Sequence, residues 1–95
     1  MDIKQVNDYA IKVLIERTPE AGVKGRVKLF KYLINNGLID QQRLKKACVN
    51  HYYDLQVKEC ETNKDAVLDT AIEFDCSISF IHNVIYKFRD VVLSF

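Results

Sequence analysis

"AIEFDCSISFIHNVIYKF", from Ala71 to Phe88, is the stretch that decides how this chain is organised. A small residue, Ala71, stands one helical turn before an aromatic, Phe74. Asp75 and Cys76 break the pattern, and Ser77 follows, a residue whose hydroxyl suits the start of a helix. Beyond it, Ile81, Val84, Ile85 and Phe88 recur three and four apart, the spacing of one helix face. At about 100° per residue these four cluster on one side of a helix. Ser79, His82, Asn83 and Tyr86 fall on the other side, with Arg89 at the edge. The pattern predicts two helices joined by a tight turn. Ala71 lets the second helix cross close to the first, Phe74 closes the first helix, and Cys76 is the apolar residue buried in the turn.

Working outward, the same periodicity predicts three more helices. The one leading into Ala71 runs to about Phe74 from a cap at Thr62 or Asn63, with Asp65 well placed in its first turn and Val67, Leu68, Ala71 and Ile72 facing the core. Before it, Asp40 caps a long helix of about Gln41 to Glu61, with a stripe through Leu44, Cys48, His51 or Tyr52, and Leu55. The second helix is expected over about Arg26 to Asn35, with Val27, Phe30, Leu33 and Ile34 inward. Gly22 and Gly25 bracket a loop ahead of it. Gly37 can take the left-handed conformation just past its end, with Leu38 and Ile39 packed beside that cap. The first helix covers about Ile3 to Arg17, with Ile3, Val6, Ala10, Val13 and Leu14 on one face. It stops at Thr18-Pro19-Glu20, where Thr18 can cap a short new turn. The last helix is expected to continue from Ser77 to about Leu93. The expected architecture is a single all-α domain over residues 1–95, five helices in a compact unit, with a C-terminal helix-turn-helix at about 64–89.

Composition agrees with that reading. Of 95 residues, 48% are hydrophobic and 28% charged, so the chain is globular rather than disordered. One Pro and three Gly leave few breakers, which favours helices over a turn-rich β fold. Cys48, Cys60 and Cys76 are an odd number at no metal-like spacing, as expected of reduced thiols in the cytoplasm. The N-terminal stretch carries charges throughout and does not read as a signal peptide, and no run approaches the roughly 20 apolar residues that span a membrane.

On Ala71, Phe74, Cys76, Ser77, Ile81 and Val84 the stretch resembles the bacterial and phage helix-turn-helix DNA-binding domains. The resemblance covers residues 64–89 only. It implies a partner, double-stranded DNA, and a last helix that reads the major groove through its outward residues. Those are Ser77, Ile78, Ser79, His82, Asn83 and Tyr86, with Asn83 suited to an adenine edge. Lys87 and Arg89 would contact phosphates. The stretch departs from the pattern where Asp75 replaces the usual turn Gly and where Ile78 and Phe80 replace polar residues.

Charge sets a second expectation. From Asn63 to Phe95, three basic residues face five acidic ones, whereas Lys24 to Lys46 holds seven basic residues and a single acid, Asp40. If the second helix and the start of the third flank the reading helix, Lys28, Lys31, Lys45 and Lys46 would hold the backbone while the last helix reads bases. The apolar end of the chain, Val91, Val92 and Phe95, is expected to extend the anchor face of the last helix, with Leu93 outside it. It would either form a homodimer, setting two reading helices about 34 Å apart, or fold back over the first helix.

Other chemistry finds little support. Cys48 and His51 are one turn apart, but no second close pair completes a zinc site, so neither metal nor cofactor is expected. No nucleophile comes with a base and an oxyanion site, so no enzyme is expected. The leading expectation is a sequence-specific DNA-binding regulator. The alternative is a protein–protein interaction module with a degenerate helix-turn-helix that binds through Ile78, Phe80 and the tail. A lesser one is an RNA- or replication-associated accessory protein using the basic second helix.

Overall fold

Side-chain caps set the helix starts. Asp2 opens α1 (Ile3–Arg17) with a capping box: its carboxylate accepts from the Gln5 N–H at 2.8 Å while Gln5 Oε1 accepts from the Asp2 N–H at 2.9 Å. Asp40 caps α3 (Gln41–Glu59) by accepting from Gln42 and Arg43, Thr62 caps α4 (Asn63–Phe74) through Asp65, and Ser77 caps α5 (Ile78–Lys87) through Phe80. Only α2 (Val23–Asn35) starts without one, on Gly22 at the end of a 3-10 turn over Glu20–Gly22. The computed structural model describes residues 1–94, and all five helices and no strand lie within them.

Helix α3 is the spine. Ala47, Cys48, Val49 and Asn50 are consecutive and all buried, so a full turn is enclosed on every side. That follows from its neighbours, because α1, α4 and α5 all pack on α3. Val6, Ala10, Val13 and Leu14 of α1 fill one side, and the Cys48 thiol points at the Val6 carbonyl at 3.8 Å. Burial pushes that thiol up to about 12, so it stays protonated and unreactive. Ala66, Val67, Thr70, Ala71 and Phe74 of α4 fill another side, and Ile81 and Val84 of α5 complete the core.

An aromatic group holds the α1–α3–α4 junction. Tyr9 meets His51, Tyr52 and Phe74 edge to face, and its hydroxyl lies 2.6 Å from His51 Nδ1. Burial raises the Tyr9 pKa and lowers that of His51, so a neutral imidazole accepting from a neutral phenol is the consistent arrangement. The N-terminal ammonium closes the junction by donating to the Phe74 carbonyl at 2.6 Å.

Several sequence expectations are corrected. The second helix begins at Val23, three residues earlier than expected, and takes in Gly25. Thr18 does not cap the 3-10 turn; its hydroxyl turns back to the Leu14 carbonyl at 2.7 Å. Leu68 and Ile72 are exposed because they lie round α4 from its buried stripe, Ile3 and Leu55 because they stand toward helix ends, beyond the packed stretch of α1 and α3, and Leu38 stands out beyond the Gly37 cap. Gly37 does take a positive φ, of 66°, and the Leu38 N–H reaches back to Leu33 at 2.9 Å.

The largest correction is at the C-terminal end. Helix α5 stops at Lys87; Arg89 and Asp90 make a turn, closed by the Val91 N–H donating to the Phe88 carbonyl at 3.0 Å, and residues 91–94 are not helical. Beyond the turn, Val91 and Leu93 are buried in the core while Val92 faces solvent. Asn50, fully buried, arrests the helix there by donating to the carbonyls of Phe88 and Val91, both at 2.8 Å. Arg17 of α1 donates to the Leu93 carbonyl at 2.7 Å. The tail therefore folds back over α1 and α3. Val91 is spent in the core and is not a free dimer surface, and Phe95 lies outside the described residues. No helix among the described residues is long and apolar enough to cross a membrane.

Candidate nucleic-acid interface

The α4–α5 turn is built on one strained residue. Asp75 takes φ 53°, ψ 48°, the left-handed region that Gly enters freely and Asp enters at a modest cost. In return the Asp75 and Cys76 N–H groups reach back to Ile72 and Ala71 at 3.2 and 3.0 Å, closing α4. Cys76 is half-buried beneath the turn, and the Ser77 hydroxyl accepts from the Phe80 N–H at 3.1 Å to start α5.

Anchoring orients α5. Ile81 and Val84 are fully buried, while Ile85 and Phe88 are half-buried on the same face. Ser79, His82, Asn83 and Tyr86 are all exposed opposite them. The His82 and Tyr86 rings, one turn apart, stack in parallel with centroids 5.7 Å apart and planes 4° from each other. Tyr86 is 78% exposed, the most open of the large hydrophobic side chains. Beside the pair lies a hollow of about 490 Å³ lined by Tyr53, Asn63, Lys64 and Val67. Ser77 is exposed but its hydroxyl serves the cap, and Ile78 is exposed next to it.

The six basic residues expected to contact phosphates divide into four groups. Lys45 and Lys46 of α3 reach α5: the Lys45 Nζ lies 5.1 Å from the Phe80 ring centre and the Lys46 Nζ 3.8 Å from that of Phe88. A cation over an aromatic face is held without being neutralised, so its charge remains available at that edge of α5. Lys87 is exposed in the last turn of α5 itself. Arg89 is engaged. Its guanidinium donates to Asn50 Oδ1 at 2.9 Å and pairs with Asp54 at 2.6 Å. Lys28 and Lys31 sit on α2, which packs on α1 and the 3-10 turn and on no other helix, so they are not brought to α5.

Asn50 is the residue that pattern reading misses. A polar side chain in a helix centre reads as solvent-facing. Its only sequence signal is that Ala47, Cys48 and Val49 before it leave no polar face on that turn. Among the described residues no three His, Cys, Asp or Glu side chains gather as a metal site. No family model, curated protein or solved structure matches the chain.

Proposed function

We propose that this protein is a sequence-specific, double-stranded DNA-binding regulator of bacterial or phage type, in which α4, the Asp75 turn and α5 act as a helix-turn-helix. The observation that carries the reading is the division of α5. One face is locked by Ile81 and Val84, and the other presents Ser79, His82, Asn83 and Tyr86 to solvent on a rigid, capped helix. Helices enter the major groove as such elements, with a fixed orientation and short polar side chains outward. Asn83 would pair with an adenine edge, and the stacked His82–Tyr86 pair offers a flat surface to neighbouring bases or sugars. Ser77 would add its hydroxyl at the helix start. Lys45, Lys46 and Lys87 would supply the phosphate contacts, with Arg89 serving to hold the end of α5. The protein would work in the cytoplasm, where its three unpaired thiols stay reduced.

Selection from a random duplex library at moderate salt, followed by sequencing, tests this. An enriched motif is expected, and Asn83→Ala should relax preference at one position by about 1–3 kcal/mol. Replacing Lys45 or Lys46 with Gln should weaken all sequences alike and flatten the salt slope by about 0.9 per lysine. The absence of both an enriched motif and retention on bulk DNA would remove DNA from the account. Binding that ignores salt and depends on Ile78 and Phe80 would point instead to a protein partner.

A further inference from the structure

Helix α2 carries four basic residues, Lys24, Arg26, Lys28 and Lys31, and no acid, and two of the four stand in its first turn. That turn is the positive end of the helix dipole, where cations are unfavourable. The helix lacks a side-chain cap and packs only on α1 and the 3-10 turn. On its outer side Gly25, Leu29 and Tyr32 stand at i, i+4 and i+7 and form one stripe. Leu29 is 58% exposed, and a Cβ added at Gly25 would meet nothing within 4 Å. A glycine inside a helix costs stability, and here no neighbour within the chain requires it.

Helix α4 has the opposite character. Leu68 and Ile72 stand one turn apart on its exposed side, with Ile72 70% exposed, and Asp65, Asp69 and Glu73 run beside them at the same spacing. Its one base, Lys64, is in the first turn. One chain thus carries an apolar-basic face and an apolar-acidic face on different helices, both open to solvent, with Asp69 accepting from the Cys60 thiol at 3.3 Å.

We propose that the two faces are the halves of one interface, and that the protein associates head to tail, α2 of one copy lying on α4 of the next. Leu29 and Tyr32 would cover Leu68 and Ile72, with Gly25 admitting the partner helix. Arg26 and Lys28 would meet Asp65, Asp69 and Glu73. Such a contact is heterologous, so each pairing leaves a free face at either end and growth continues to a closed ring or an open chain. One helix on another falls below the roughly 1,200 Å² of stable interfaces, so the association is weak, and salt screens it. The contact needs no DNA, and its failure leaves the reading of α5 untouched. If both hold, the incoming α2 also offsets the acids of α4 next to the reading helix.

Sedimentation equilibrium of the full chain, from micromolar to millimolar concentration and without DNA, tests the proposal. The wild-type mass should rise above one chain at low salt, and the affinity should fall roughly tenfold in high salt. Leu29→Glu and Ile72→Gln, both at exposed helical positions, should each stay at one chain with unchanged circular dichroism. Mixed in equal amounts they should form pairs that grow no further, because each supplies the face the other lacks. A wild-type chain that remains a monomer throughout overturns the proposal, whether or not the variants fold. So does a variant that still associates alone, or a mixture that stays monomeric. Binding of a monomeric wild-type chain to phosphatidylserine vesicles, lost in Leu29→Glu, would likewise overturn it and assign the α2 face to lipid.

Discussion

Helices α2 and α5 are both short and amphipathic, yet the fold treats them differently. Helix α5 is capped by Ser77, sinks Ile81 and Val84 completely, and has its far end held by Asn50. Helix α2 is uncapped, has a single buried residue, Phe30, and rests on one neighbouring helix. The charge is distributed in reverse, with four bases on α2 and one on α5. Position and charge are thus separated in this molecule. The well-fixed helix can present a face with geometric accuracy, whereas the charged helix is suited to a looser, electrostatic contact.

The strongest way to break this contrast is to truncate an apolar side chain on each helix. Ile81→Ala removes a fully buried side chain and should cost about 2–5 kcal/mol in urea unfolding. Leu29→Ala, on the open side of α2, should change stability by no more than about 0.5 kcal/mol at dilute, monomeric concentration. Equal losses would show that α2 is as firmly held as α5, and the contrast would fail. Next in size is Asn50→Ala, which leaves the Phe88 and Val91 carbonyls without their buried donor and frees Arg89 from one partner. A cost of about 1–3 kcal/mol is expected, together with faster amide exchange at Phe88 and Val91. Unchanged exchange there would mean that the tail is held by Arg17 and apolar packing alone.

The two helices were also unequally legible in sequence. Apolar periodicity and a cap residue together marked α5 from Ser77 onward, and the same pair of signals marked α3 and α4, whereas α1 was marked by periodicity alone and its Asp2 cap was missed. On α2 the cap signal was missing and Gly25 read as loop, so its start was placed three residues late. The end of α5 failed for a different reason. Val91 keeps a helical interval from Phe88, but Asn50, 38 residues from Phe88 along the chain, and Arg17 hold the carbonyls of Phe88, Val91 and Leu93 in a non-helical path. Long-range hydrogen bonds of that kind leave no local pattern. Ile72 and Leu68 were assigned to the core because apolar residues at helical spacing ordinarily point there. Their exposure became visible only once α3 and α5 were seen to take the other side of α4. For the candidate site, the sequence separated the faces of α5 but could not tell which lysines lie beside it. Lys45 and Lys46 do, through the rings of Phe80 and Phe88, whereas Lys28 and Lys31 do not.

Backbone substitutions sharpen the contrast with smaller effects. At the base of α5, Asp75 holds a positive φ that glycine adopts without a Cβ penalty. Asp75→Gly should therefore raise stability by about 1 kcal/mol in thermal unfolding. It also removes a negative charge next to α5, so under the proposed function DNA affinity would rise at low salt more than at high salt. A loss of stability would mean that the aspartate carboxylate holds the turn in a way the glycine variant cannot replace.

On α2 the reciprocal change is Gly25→Ala, which removes a flexible residue from the first turn of the helix, where the new methyl meets no atom of its own chain. Stability of the monomer should rise by about 0.5–1 kcal/mol, toward the lower end because α2 is lightly packed. If α2 receives the α4 of a second copy, the same methyl stands on the crossing stripe beside Leu29 and Tyr32, and association should weaken while the monomer gains. Opposite signs in one variant separate a glycine retained for contact from one merely tolerated by the helix. Gains in both, measured by thermal unfolding and by sedimentation, would show that nothing docks over Gly25.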